Sequence, residues 1–88
     1  MAWKTHNIAM DGNEKSWKIP DKTTAISFFA NGADAVIAFT EGDTASGGYP
    51  IKKGYDLAIE DRNIANVTVY LKATSGSVDI VYADHSLE

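Results

Sequence analysis

Apolar and polar residues alternate along most of this chain with a period of two, the spacing of half-buried β-strands rather than of helices. In KSWKIP, Trp17 and Ile19 fall on one side with Lys18 between them, and Pro20, which has no N–H to give a ladder, closes the strand. TTAISFFANGADAVIAFT holds two β-rich runs on either side of Asn31-Gly32, a dipeptide suited to the positive φ angles of a two-residue type I′ turn. That loop sets Ile26 opposite Ile37, Phe28 opposite Ala35 and Thr24 opposite Phe39, and so predicts a hairpin with one apolar side. NVTVYLKATSGSVDIVYA predicts a second hairpin about Ser75-Gly76. It places Leu71 opposite Ile80, Val69 opposite Tyr82 and Ala73 opposite Val78, with a Lys72–Asp79 charge pair on the other side.

Between the hairpins, YDLAIED alternates again, with Leu57 and Ile59 inward. AWKTHNIA carries a weaker signal, that of an edge strand or a loose arm. The expected fold is all-β: a small antiparallel β-sandwich or jelly-roll-like barrel of about six or seven short strands, with a turn signal every ten residues or so. Residues 1–13 are expected to be an N-terminal arm or edge strand, 14–84 a single sandwich domain, and 85–88 a tail in which Leu87 and Glu88 read as a cloning scar.

The glycine-rich stretch SGGYPIKKG raises the question of a phosphate cradle. Such a cradle needs a turn that opens a helix, whose first amides hold the anion. Here the lysines precede Gly54 and the next segment has period two, so the stretch reads as a corner that delivers the chain to its next strand.

Composition narrows the functional classes. The 88-residue chain is 44% hydrophobic and 23% charged, within the range of ordinary globular domains. Its formal charge of −4 argues against nucleic acid as a partner, since phosphate contacts require a basic footprint. No cysteine is present, which excludes disulfides and thiolate metal sites. The start, MAWKTHNIAMDG, lacks the apolar stretch of a signal peptide, and no segment has membrane-spanning length, so synthesis in the cytoplasm without a membrane partner is expected.

No catalytic set stands out. His6 and His85 lie near opposite termini, and Ser46 and Ser75 sit beside glycines without the flanking pattern of a nucleophile, so no catalytic residue, metal or cofactor is assigned. Glu41, Asp43, Asp34 and Asp61 supply carboxylates without the spacing of a calcium loop and read as solvated acids. The aromatics carry two alternatives. Tyr49, Tyr55 and Trp3 are candidates for stacking on sugars in a carbohydrate-binding module. Tyr70 and Val81, expected to pair on an outer face, with outward Phe29 and Val36 and with Trp3, make that surface more apolar than water requires, which marks a protein–protein interface.

With the turns placed, one likeness emerges. Ile19-Pro20, a strand, Asn31-Gly32, a VIAF strand, a loop, YPIKKG, a strand and NVTVYLKATSGSVDIVYA together resemble small β-sandwich proteins of tailed bacteriophages and prophages, over residues 14 to 83. In that group a strand ending in Ile/Leu-Pro, an Asn-x-Gly-type turn, P-[VI]-x-x-G and a final hairpin recur in this order. The resemblance implies a non-enzymatic virion protein that decorates the head or serves the tail or its fibres, made in the host cytoplasm and acting as a homo-oligomer or on other virion proteins.

Overall fold

A computed structural model describes residues 2–60 and 64–84. Eight strands run through them: β1 (Ala2–Ala9), β2 (Lys15–Lys18), β3 (Thr23–Asn31), β4 (Ala35–Ala38), β5 (Tyr49–Ile51), β6 (Asp56–Glu60), β7 (Thr68–Ala73) and β8 (Ser77–Asp84). They form two antiparallel four-stranded sheets, ordered β1-β8-β3-β6 and β2-β7-β4-β5, which is the strand order of a jelly roll. The expected all-β sandwich is therefore what the chain forms, with one or two strands more than expected. The N-terminal segment is a full edge strand, paired with β8 from Ala2 to Ala9. His85 and the expected scar lie outside the described residues.

Neither expected hairpin exists as a ladder. β3 pairs with β6 and β8, β4 with β5 and β7, and the link between β3 and β4 crosses from one sheet to the other. Ile26 lies beside Ile59 and Tyr82, whereas Ile37 lies beside Leu71 and Tyr49. The second pair of strands separates in the same way. Leu71 has Lys15 and Ile37 as neighbours, while Ile80 has His6 and Phe28. Val69 pairs with Trp17 and Ala73 with Ala35, while Tyr82 and Val78 pair within the other sheet. The Lys72–Asp79 pair is lost, since Lys72 neighbours Val36 and Asp79 neighbours Asn7 and Phe29. Phe39, expected inside, is 54% exposed beyond the end of β4.

The physical reason lies in what parity specifies. Alternation decides which side of a strand is apolar but not which strand lies beside it. A flat hairpin would leave its apolar side without a second layer. Sending the next strand to the opposite sheet turns Ile26, Phe28, Val78 and Ile80 toward Ile37, Val69 and Leu71, and all seven are buried in one core. The turn residues serve this crossing. Gly32 and Gly76 both have positive φ (94° and 96°), and the two corners abut so closely that a Cβ on Gly76 would lie 2.6 Å from the Asn31 carbonyl oxygen.

Four of the six crossings, β1 to β2, β3 to β4, β5 to β6 and β7 to β8, gather at this end of the sandwich. The Met10 amide donates to the Gly76 carbonyl (2.8 Å) and the Gly54 amide to that of Ala30 (2.8 Å), stitching corner to corner. YPIKKG is indeed a corner in its second half. Tyr49–Ile51 is a short edge strand on β4, and the turn to β6 follows it. At the β1/β2 flank, Trp17 closes the core, stacked on His6 (centroids 5.7 Å apart) and edge-on to Phe28 (6.4 Å).

Candidate functional site

Because each sheet sends alternate residues inward, the molecule has two outer faces. On the β1-β8-β3-β6 sheet the outward positions form rows across the strands: Trp3–Ala83–Ala25–Glu60, then Thr5–Val81–Ser27–Ala58, then Asn7–Asp79–Phe29–Asp56. Trp3, Val81 and Phe29 thus lie on a diagonal, each one strand and one row from the next, within reach of one another's side chains. Small residues fill the space between them. Three acids, Asp79, Asp56 and Glu60, share this face, and its described strand positions include no Lys or Arg. Two of the acids are held in place. Asp79 accepts hydrogen bonds from the Asn7 and Asn31 side-chain amides, the latter at 3.1 Å, and Asp56 accepts one from the Ser27 hydroxyl (3.0 Å).

The opposite outer face carries Ser16, Tyr70 and Ala38 in one row and Lys72, Val36 and Pro50 in the next. The Tyr70–Val81 pair expected from the sequence is therefore absent, because the two residues occupy opposite faces of the sandwich. The residues expected to form an interface divide accordingly: Val81, Phe29 and Trp3 share one face, and Tyr70 and Val36 belong to the other.

This second face is covered by the chain itself. Residues 39–48, between β4 and β5, fold back over it as a strap containing a one-turn 3₁₀ helix, Asp43–Ala45. Thr44 within it and Ala38 at the end of β4 are both buried. At its far end the strap is held by Glu14, from the β1–β2 corner. The Thr44 hydroxyl donates to Glu14 Oε1 at 2.5 Å, and the Gly42 amide donates to both carboxylate oxygens at 3.0 and 3.2 Å. The Thr44 bond first, then the Gly42 amide, with a smaller contribution from the Lys72 ammonium, hold this carboxyl below its ordinary 4.5. On its return the strap packs Gly48 against Val36, with no room for a side chain at Gly48.

Glu14 and Thr44 are thirty positions apart in sequence. Neither belongs to a motif, and sequence reasoning missed both. The only signal was the length of EGDTASGGYP, too long for a tight turn and rich enough in small residues to lie flat on a sheet.

The sugar-stacking candidates do not form one platform. Trp3 (65% exposed) is on β1 and Tyr49 (60%) on β5, edge strands of different sheets on opposite flanks, and Tyr55 (70%) stands in the corner after β5. The loop acids are also apart. Asp34 accepts the Lys53 amide at 2.8 Å, and Asp61 lies outside the described residues. Among the described residues no group of three or more His, Cys, Asp or Glu is placed to hold a metal ion, and no helix is long and apolar enough to cross a membrane.

No protein-family model matches the chain, and no curated protein does. Among solved structures it is similar to the solution NMR structure of a de novo designed double-stranded β-helix, at 15% identity and a TM-score of 0.55. That alignment covers 97% of this chain and 100% of the designed one. At that identity the likeness speaks for the fold alone.

Proposed function

We propose that this chain is a non-enzymatic assembly protein, of the virion-associated kind its turn pattern resembles, and that it docks on a larger protein array through the outer face of the β1-β8-β3-β6 sheet. The observation that supports this reading is the contrast in cover. No described segment crosses the Trp3–Val81–Phe29 diagonal, whereas the opposite face is partly covered by residues 39–48, which set Gly48 against Val36. An apolar centre with a polar rim is the anatomy of a protein–protein interface. Three acids, with no Lys or Arg among the described strand positions of that face, oppose its pairing with the same face of a second copy, so a different protein of the assembly is the favoured partner. The carbohydrate reading gains nothing from Tyr49, Tyr55 and Trp3, which would each have to bind a sugar alone.

The test is mass spectrometry of purified virus-like particles from cells expressing the tagged chain. Wild type is expected in the particles at a stoichiometry set by the shell or tail symmetry, and Val81→Lys, folded by circular dichroism, is expected to be excluded. Absence of the wild-type chain from particles overturns the virion reading, and incorporation of Val81→Lys at wild-type level overturns the choice of face. A glycan array giving a saturable, Tyr49-dependent signal would favour the alternative.

A further inference from the structure

Apart from that face, the strapped side contains a groove that the docking reading does not use. It has a volume of about 410 Å³, within the range of small-molecule sites. Its floor is the Val36–Pro50 row of β4 and β5, and its far wall is Thr44 of the strap. Lys72 and Lys52 stand on either side. Lys72 lies on β7 opposite Val36 and Lys52 follows β5 two positions past Pro50, the other partner of Val36, so two strand spacings and a two-residue offset set their stems about 12 Å apart. The second lysine comes from YPIKKG, the stretch whose resemblance to a phosphate cradle failed on its spacing.

The polar groups around the groove are unequally committed. The Asp34 carboxylate receives the Lys53 amide, and the Glu14 carboxylate receives Thr44 and Gly42. The ammonium groups of Lys52 and Lys72, by contrast, donate no hydrogen bond to any described residue. What is left open is an apolar floor between two cationic donors, with the Asp34 carboxylate at the Lys52 end already accepting one amide. We propose that this groove binds a small organic carboxylate, with its apolar body on Val36 and Pro50 and its carboxylate bonded to Lys52 and drawn toward Lys72. Lys52 carries the larger share, because Lys72 already sits in the field of Glu14.

The proposal is tested by titrating the ¹⁵N-labelled full chain with 3-phenylpropionate, 3-phenylpropanol and 3-phenylpropylamine, reading the amide shifts of Val36, Lys52 and Thr74. The carboxylate is expected to saturate at those amides and to bind about tenfold more tightly than the alcohol, as one charge-assisted hydrogen bond gives. The amine is expected not to saturate. Lys52→Met, which keeps most of the stem, should remove that tenfold advantage, and Lys72→Met should remove a smaller part. Added salt should weaken only the carboxylate. N-acetylphenylalanine presents the same group on a peptide end. Its binding more tightly identifies a peptide terminus as the source, its binding more weakly a free acid, and either agrees with the proposal. Equal affinity for acid and alcohol, no saturation by any probe, or unchanged binding in a folded Lys52→Met chain would overturn it. None of these results bears on particle incorporation through the opposite sheet.

Discussion

The two outer faces arise from the same alternation, yet one is partly strapped by residues 39–48 and the other has no strap among the described residues. On the β2-β7-β4-β5 side the outward Val36 and Tyr70 share their sheet with a strap anchored by a carboxylate thirty residues earlier in sequence. On the β1-β8-β3-β6 side Val81 and Phe29 meet no such strap among the described residues, and side-chain hydrogen bonds fix Asp79 and Asp56 at the rim. Outward apolar residues thus have two different meanings in one small molecule. On one side they lie at the underside of a loop; on the other no described segment crosses them, which is the ground of the docking proposal. The contrast depends on the crossings at the corners, which put consecutive strands on different sheets. Gly76→Ala attacks it at the root, adding a side chain to a left-handed residue already against Asn31. A loss of about 3 kcal/mol is expected, from backbone strain and overpacking together, measurable by urea unfolding. A change below about 0.5 kcal/mol would show that the two corners are not in contact.

A matched pair of substitutions sharpens the comparison directly. Val36 and Val81 are both half-buried and outward, one against Gly48 and one with no described loop over it. Val36→Lys must displace the returning strap and should cost about 2 kcal/mol, as overpacked sites do. Val81→Lys replaces a β-branched residue on an open sheet surface and should cost under about 1 kcal/mol. Equal losses in urea unfolding would mean that the strap does not cover Val36 in solution.

The residues that made the fold legible are those whose period is two. Ile26, Phe28, Val69, Leu71 and Ile80 were assigned to the core from alternation alone, and all are buried. Their partners were not legible. A two-residue glycine turn fits a hairpin locally, and only the need to give each apolar side an opposing layer selects the crossing, a property of the whole chain rather than of any window. The outward positions of Phe29, Val81, Tyr70 and Val36 followed from the same parity, but their division between two faces required knowing which sheet each strand joins. The strap was less legible still. Glu14 is one acid among twelve acidic residues, and its selection depends on where Gly42 and Thr44 arrive in space.

That latch gives the smallest effect and the cleanest one, since it acts on one face only. Glu14→Gln keeps the shape of the side chain but loses the ionised acceptor for the Thr44 hydroxyl and the Gly42 amide. Faster hydrogen exchange is expected at the amides of residues 42–47, with β1 and β8 unchanged. The pH dependence has a definite sign. The folded-state pKa of Glu14 lies below 4.5, so the latch contributes fully above that value and is lost as pH falls through the folded-state pKa. The difference in Tm between wild type and Glu14→Gln should therefore be constant from pH 7 to about 5 and shrink in more acid solution. Lys72 faces the same carboxylate and stays charged over that range, so Lys72→Met should narrow the window slightly without abolishing it. A gap that widened as the pH fell would mean that the protonated carboxyl holds the strap better than the ionised one, and the contrast between the closed and the open face would need another cause.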